Sequence, residues 1–220
     1  MTTITTPEFS QLADRLFADD DRTRAAMMRK LDAMTEAQKE AYFGPQAQYR
    51  DFYSEAKDVP LAVSRETAHL LYMLARGVGA TSIVEFGTSF GVSALHLAAA
   101  VRDNGGGRVI ATEFEPSKVE RARANFEAAG LADLIDLRAG DALETLAANL
   151  PDRIDLVLLD GAKPLYPRIL ALLDGRLRPG GFVVADNADM SPDYLGYIRD
   201  PANGYLSIPF GDDVELSQKL

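Results

Sequence analysis

The stretch Ser82-Ile83-Val84-Glu85-Phe86-Gly87-Thr88-Ser89-Phe90-Gly91-Val92-Ser93-Ala94-Leu95-His96-Leu97 limits what this chain can fold into more than any other. A β-branched apolar run ends around a single carboxylate, breaks into a turn with glycine at both ends, and resumes as an Ala/Leu-rich segment. That pattern predicts a strand, a tight turn and a helix starting at Ser93. Glycine has no Cβ, so backbone N–H groups at the entrance of such a helix can approach a ligand closely. The order Glu-x-Gly-x-x-x-Gly differs from the G-x-G-x-x-G dinucleotide fingerprint, which disfavours a nicotinamide-dependent dehydrogenase. Taken alone, the turn suits any α/β protein.

The segments that follow repeat the theme. Strands are predicted at Ser82–Phe86, Arg108–Glu113, Ile135–Ala139, Ile154–Leu159 and Phe182–Ala185, with helices from Ser93, from Pro116, after Asp141 and around residues 168–177. Strands alternating with helices imply a parallel sheet covered on both faces, with ligands outside the carboxyl ends of the strands. The tail, Gly204–Pro209 and Val214–Gln218 around Phe210-Gly211-Asp212-Asp213, reads as a β-hairpin. Upstream, Phe9, Leu12, Leu16 and Phe17 form one apolar stripe and Met27, Met28, Leu31 and Met34 another, predicting two amphipathic helices that serve as a cap or a dimer contact. Gly44-Pro45 is expected to stop the second. The aromatic stretch from Tyr42 and Phe43 through Tyr49, Phe52 and Tyr53 suits a pocket wall or an interface. Ser64 is read as the N-cap of a helix carrying Leu70, Leu71 and Leu74 and closed by Gly77 and Gly79. We therefore divide the chain into an N-terminal helical segment, 1–60, and a main domain, 61–220.

If strand ends make the site, what stands there decides the chemistry, and the inventory is acidic: Glu85; Glu113 and Glu115; Asp141; Asp160; and Asp186 with Asn187. Any one of these suits a turn or a helix N-cap, but five strand ends in a row do not arise that way. Glu113 lies close to the roughly 20-residue offset at which an acid binds ribose hydroxyls, whereas Glu115, directly before Pro116, suits the entrance of the next helix. Asp160, Asp186 and Asn187 offer the oxygens that a hard divalent cation prefers. With no cysteine and only two histidines in the chain, oxygen ligands are the natural choice for any metal. Lys163 is either a solvated surface lysine or, desolvated beside a cation, a base near neutral pH. A formal charge of −10 argues against nucleic acid as partner. No long apolar run or apolar leader is read, so neither membrane contact nor export is expected and a cytoplasmic location is.

These residues resemble the metal-dependent catechol-type O-methyltransferases of the class I S-adenosylmethionine-dependent family, the group of catechol and caffeoyl-coenzyme A O-methyltransferases. The resemblance runs from about Leu61 to the C-terminus. It implies a Rossmann-like, doubly wound, mostly parallel seven-stranded sheet with a C-terminal antiparallel hairpin and an N-terminal helical cap. It also implies S-adenosylmethionine and a divalent cation, Mg²⁺, as cofactors, with a catechol-like small molecule as acceptor; the N-terminal helices suit a homodimer. Carried over residue by residue, Val63, Glu85, Gly87, Ser89 and Ser93 fall on the methionine side of the cofactor site, Glu113 at the ribose, Asp141 and Ala142 at the adenine, and Phe114 among the cofactor contacts. Asp160 matches a cofactor contact and the first metal ligand, Asp186 and Asn187 the other two ligands, and Lys163 the catalytic base. Asp212 and Asp213 lie in the region of the family's catechol-contacting acid. Gly161-Ala162 and Pro164 depart from the family pattern and imply an altered substrate-side wall.

Overall fold

The computed structural model describes residues 2–43 and 49–220, so the expected stop at Gly44-Pro45 lies outside the described residues. Helices α1 (Pro7–Asp32), α2 (Glu36–Phe43), α3 (Tyr49–Glu55) and α4 (Arg65–Gly77) come first. Strand and helix then alternate: β1 (Ser82–Phe86), α5 (Val92–Asp103), β2 (Arg108–Glu113), α6 (Pro116–Ala128), β3 (Ile135–Ala139), α7 (Ala142–Thr145), β4 (Ile154–Leu159), α8 (Tyr166–Leu173), β5 (Leu177–Ala185) and α9 (Pro192–Ile198). The hairpin β6 (Tyr205–Phe210) and β7 (Val214–Lys219) ends the chain.

The strands form one sheet in the order β3-β2-β1-β4-β5-β7-β6. β3, β2, β1, β4 and β5 run parallel, and β7 joins β5 antiparallel with β6 outside it. This is the expected doubly wound seven-stranded sheet. β1 shows why both faces are covered: Ile83 packs in one core with α4 and α5, while Val84 and Phe86 pack in a second core with α8. The chain leaves β1 toward β2 on one side and returns to β4 on the other, so the crevice between the carboxyl ends of β1 and β4 is the switch point where such sheets bind ligands.

Local chemistry sets the helix starts. Ser64 Oγ accepts from Thr67 N at 3.0 Å, as its N-cap role requires. Glu115 caps α6 ahead of Pro116, and Asp141 caps α7. Two elements differ from expectation. The two upstream stripes do not mark two helices: Phe9 through Leu31 lie on the single helix α1, because Ala18–Ala26 contains neither glycine nor proline to interrupt it. Met34 falls in the turn beyond. Phe9, Leu12, Leu16 and Phe17 are buried in the core shared with α4 and α5, so that stripe is a cap on the chain's own core. β5 begins at Leu177, upstream of Phe182, and passes through Pro179-Gly180-Gly181 with a shift of register against β4; Gly180 has φ +75°. No helix among the described residues is long and apolar enough to cross a membrane.

Candidate active site

The turn after β1 is built on three left-handed residues, Gly87 (φ +95°), Ser89 (φ +49°) and Gly91 (φ +91°). A Cβ on Gly87 would stand 2.5 Å from Gly161 N and 2.6 Å from the Asp160 carbonyl oxygen, so this turn and the one after β4 lie backbone against backbone. Asp160 N donates to Phe86 O at 2.8 Å and binds the two together. Ser89 N donates to Glu113 Oε2 at 2.8 Å and Glu115 N to Glu113 Oε1 at 2.9 Å, which fixes the Glu113 carboxylate at the end of β2. Beneath the turn, Glu85 is fully buried. Its Oε2 accepts from Thr88 Oγ1 at 2.7 Å, and Oε1 has no hydrogen-bond partner among the described residues. Burial pushes its carboxyl up to about 7, and the Ser93 and Thr88 hydroxyls offset part of that rise. Ser93 is buried at the start of α5.

Above the turn lies a cleft that is partly open to solvent. Gly87, Ser89, Glu113, Phe114, Asp141, Ala142 and Asp160 line it, which brings most of the expected cofactor residues into one cavity. Helix α3 covers it: Arg50 pairs with Asp141, Tyr53 Oη donates to Gly161 O at 3.3 Å, and the Tyr53 and Phe114 rings meet edge to face at 6.4 Å. Val63 borders a different groove, together with Phe17, Asp20, Arg24, Arg65, Asp186, Asn187 and Asp213. Asp212 is exposed and lines neither cavity.

Cleft and groove take side chains from neighbouring strand ends, Asp160 after β4 and Asp186 with Asn187 after β5. Asp186 N donates to Leu159 O at 2.9 Å, holding the Asp160 and Asp186 turns side by side. Burial, then the Asp160 charge, pushes Asp186 up to about 8. Asn187, at φ +48°, donates from Nδ2 to Asp213 Oδ2 at 2.8 Å, so its amide oxygen is the atom left for a cation. No three His, Cys, Asp or Glu side chains are arranged to hold a metal among the described residues. The trio itself, two crowded carboxylates and an amide oxygen, has the donor chemistry of a Mg²⁺ site, and positive charge there would relieve the repulsion that raises Asp186.

Lys163 is buried, so it is not the solvated surface lysine of the first reading. Burial acts to lower its pKa, but with no cation beside it Tyr166, Asp160, Tyr53 and Asp186 outweigh that and hold the ammonium well above its ordinary value. Nζ donates to Asp160 Oδ1 at 3.0 Å and to Tyr166 Oη at 2.9 Å, and Tyr166 Oη donates onward to Asp186 O at 2.7 Å. Burial pushes Asp160 up while Lys163 pulls it back down, and the 3.0 Å contact keeps the two as an ion pair.

Sequence reasoning passed over Arg50, Lys118 and the groove wall from α1. Tyr53 belongs to the aromatic stretch whose pocket and interface readings stood equal; it is a pocket residue. Lys118 carried a usable signal, since the third residue of a helix opened by Pro116 projects back toward the helix N-terminus and hence toward the turn.

Residues 84–188 match the family described as "Methyltransferase domain". The chain is 33% identical over 135 residues to a catechol O-methyltransferase of Mycobacterium tuberculosis, covering 61% of this chain and 60% of that protein. It is 31% identical over 137 residues to a catechol O-methyltransferase of Niastella koreensis, covering 61% of each. It thus spans about three fifths of the length of these relatives. Among solved structures, the O-methyltransferase TomG of Streptomyces achromogenes, in complex with SAM, superposes with a TM-score of 0.63 at 27% identity, over 84% of this chain and 90% of that one. With this sheet order, the Glu-x-Gly-x-x-x-Gly turn at its switch point and these likenesses, residues 84–188 form a methyltransferase domain, and the chain is similar to class I S-adenosylmethionine-dependent O-methyltransferases.

Proposed function

We propose that this protein transfers a methyl group from S-adenosylmethionine to one hydroxyl of a catechol-like small molecule, assisted by a divalent cation. One observation carries the reading: Asp160, which lines the cleft, and Asp186 and Asn187, which line the second groove, stand on adjacent strand ends, with Lys163 on Asp160. Bound in the cleft, S-adenosylmethionine supplies the electrophilic methyl. Glu85, with one orphaned buried oxygen, suits an ammonium such as that of the cofactor's methionine end, and the Gly87–Gly91 turn lets backbone approach it. Glu113, its carboxylate fixed by two backbone N–H groups, is the ribose acid in this reading. Asp160, Asp186 and Asn187 would hold the cation, which when bound lowers the pKa of a neighbouring hydroxyl and draws carboxylate charge away from Lys163. Lys163, its own proton released to solvent once that carboxylate charge is neutralised, would then take the hydroxyl proton, and the walls of cleft and groove keep nucleophile and methyl at near-attack distance.

A second reading, the same fold methylating another hydroxyl or an amine without metal, is favoured by the Lys163–Asp160 pair, which satisfies Asp160 with no cation. Incubation with S-adenosylmethionine and a panel of catechols, monophenols and amines, with and without Mg²⁺, separates the two by mass spectrometry. The proposal expects a singly methylated vicinal diol formed only with Mg²⁺. Methylated monophenol or amine in the presence of a chelator, with no diol product, would replace it by the second reading.

A further inference from the structure

Lys118 is one of the two lysines buried in the described site, and the reaction outlined above uses only the other. It is 2% exposed, lines the cofactor cleft and donates from Nζ to Ser89 Oγ at 3.0 Å. Its Nζ also stands 5.9 Å from the centre of the Phe90 ring, and among the described residues no other hydrogen-bond acceptor and no ion-paired carboxylate meets it. An ammonium has three N–H donors, so two remain for whatever occupies the cleft. Burial lowers its pKa and the charges of Glu113, Asp160 and Glu115 draw it back up, the position of a cation that lies among carboxylates without touching one. A buried charge without full hydrogen bonding costs several kcal/mol, a cost that a ligand oxygen would offset.

Ser89 identifies the ligand atoms. Its N donates to Glu113 Oε2 and its Oγ accepts from Lys118, so the acid and the ammonium flank the same residue on the same wall. The Ser89 hydroxyl hydrogen is taken by Pro60 O, which leaves Oγ as acceptor only and fixes the direction of the Lys118 bond. A hydroxyl both donates and accepts, and a carboxylate can satisfy only the first of these. Given the ribose role proposed for Glu113, we infer that Lys118 is a cofactor-binding residue that donates to the ribose hydroxyls which Glu113 accepts from, completing a donor and acceptor pair for the vicinal diol of the nucleoside.

Calorimetry with S-adenosylhomocysteine and its 2′-deoxy and 3′-deoxy analogues tests this on the full chain. For the unmodified protein, at least one deoxy analogue should bind about tenfold more weakly, the loss of one charge-assisted hydrogen bond. Lys118→Met should bind S-adenosylhomocysteine about tenfold more weakly and show a smaller deoxy penalty, the remainder being the share that Glu113 supplies, while Lys118→Arg should recover part of both. In turnover, KM for the methyl donor should rise with kcat at saturation nearly unchanged. A Lys118→Met variant that keeps the full deoxy penalty, or one whose only change is a lower melting temperature without ligand, would overturn the inference and leave Lys118 as a strut between Ser89 and α6. Should Lys118→Met not fold, Lys118→Gln gives the same comparison. Failure of the unmodified protein to bind S-adenosylhomocysteine at all would overturn the cofactor reading itself, an outcome distinct from equal binding of all three ligands.

Discussion

Lys163 Nζ is shared between Asp160 Oδ1 at 3.0 Å and Tyr166 Oη at 2.9 Å, so its proton is held by its neighbours until their charge is drawn elsewhere. In the proposed reaction, replacing it removes proton transfer and leaves the cofactor cleft intact. Lys163→Ala should lower kcat by about 10²–10⁴-fold with little change in S-adenosylhomocysteine affinity measured by calorimetry. Glu85 gives a prediction in pH. Its carboxyl moves from 4.5 to about 7 on folding because it is buried. The folded chain therefore holds this proton more tightly than the unfolded one: the stabilisation is fully present below about pH 4.5 and is lost as pH rises through about 7, on the order of 3 kcal/mol in all. Melting curves of the ligand-free protein between pH 5 and 8 should show stability falling with pH, and Glu85→Gln should flatten that fall. At this scale the chain disclosed the acids at the strand ends, because carboxylates in a row at predicted strand termini are visible without coordinates. It did not disclose Arg50, since an arginine on a helix reads as solvated until the helix is seen to face a cleft, and Lys118 was marked only by its place in the first turn of α6. Nor did it disclose that Val63 faces the groove instead of the cleft, a matter of which way one backbone segment turns.

The element on which the site depends is the β1 turn, and its glycines differ in what they tolerate. Gly87 has φ +95° and no room for a Cβ beside the Asp160 and Gly161 backbone, whereas Gly175, in the turn before β5, has nothing within 4 Å of the position a Cβ would take. Gly87→Ala should destabilise by about 1–3 kcal/mol or more and weaken cofactor binding. Gly175→Ala should be near neutral or stabilising by up to about 1 kcal/mol. For a chain of this size the Gly87 change corresponds to a drop in Tm of several °C, roughly 2–4 °C per kcal/mol, readable by scanning calorimetry. The strands were legible from their β-branched runs because parallel strands buried on both faces carry little else. Helix boundaries were less so. Nothing in Ala18–Ala26 breaks a helix, so two stripes lie on one α1, and the Pro-Gly-Gly of β5 reads as a turn although the strand passes through it with shifted register. Helix α3 was hidden for a third reason: seven residues of mixed aromatic and polar type have no period long enough to read, yet they cover the cleft.

Across the whole molecule, the first helix, the sheet and the site share their packing. α1 gives Phe9, Leu12, Leu16 and Phe17 to the core shared with α4 and α5, and Asp20 and Arg24 to the groove beside Asp186. Occupation of the cleft should therefore stabilise the entire chain: S-adenosylhomocysteine at about 100 times its Kd adds roughly 2.7 kcal/mol and should raise Tm by several °C, while NAD at the same concentration should leave it unchanged. The net charge of −10 sets the same expectation for partners, a small molecule in preference to a phosphate backbone. The decisive quantity is the initial rate of methyl transfer from S-adenosylmethionine to a catechol as Mg²⁺ is titrated into metal-stripped protein, measured for the unmodified chain and for Asp186→Ala. The proposed function predicts a rate that rises from near zero and saturates with Mg²⁺, and no such rise in Asp186→Ala, with S-adenosylhomocysteine affinity preserved in both. Equal turnover of the unmodified chain in Mg²⁺ and in excess chelator would contradict it.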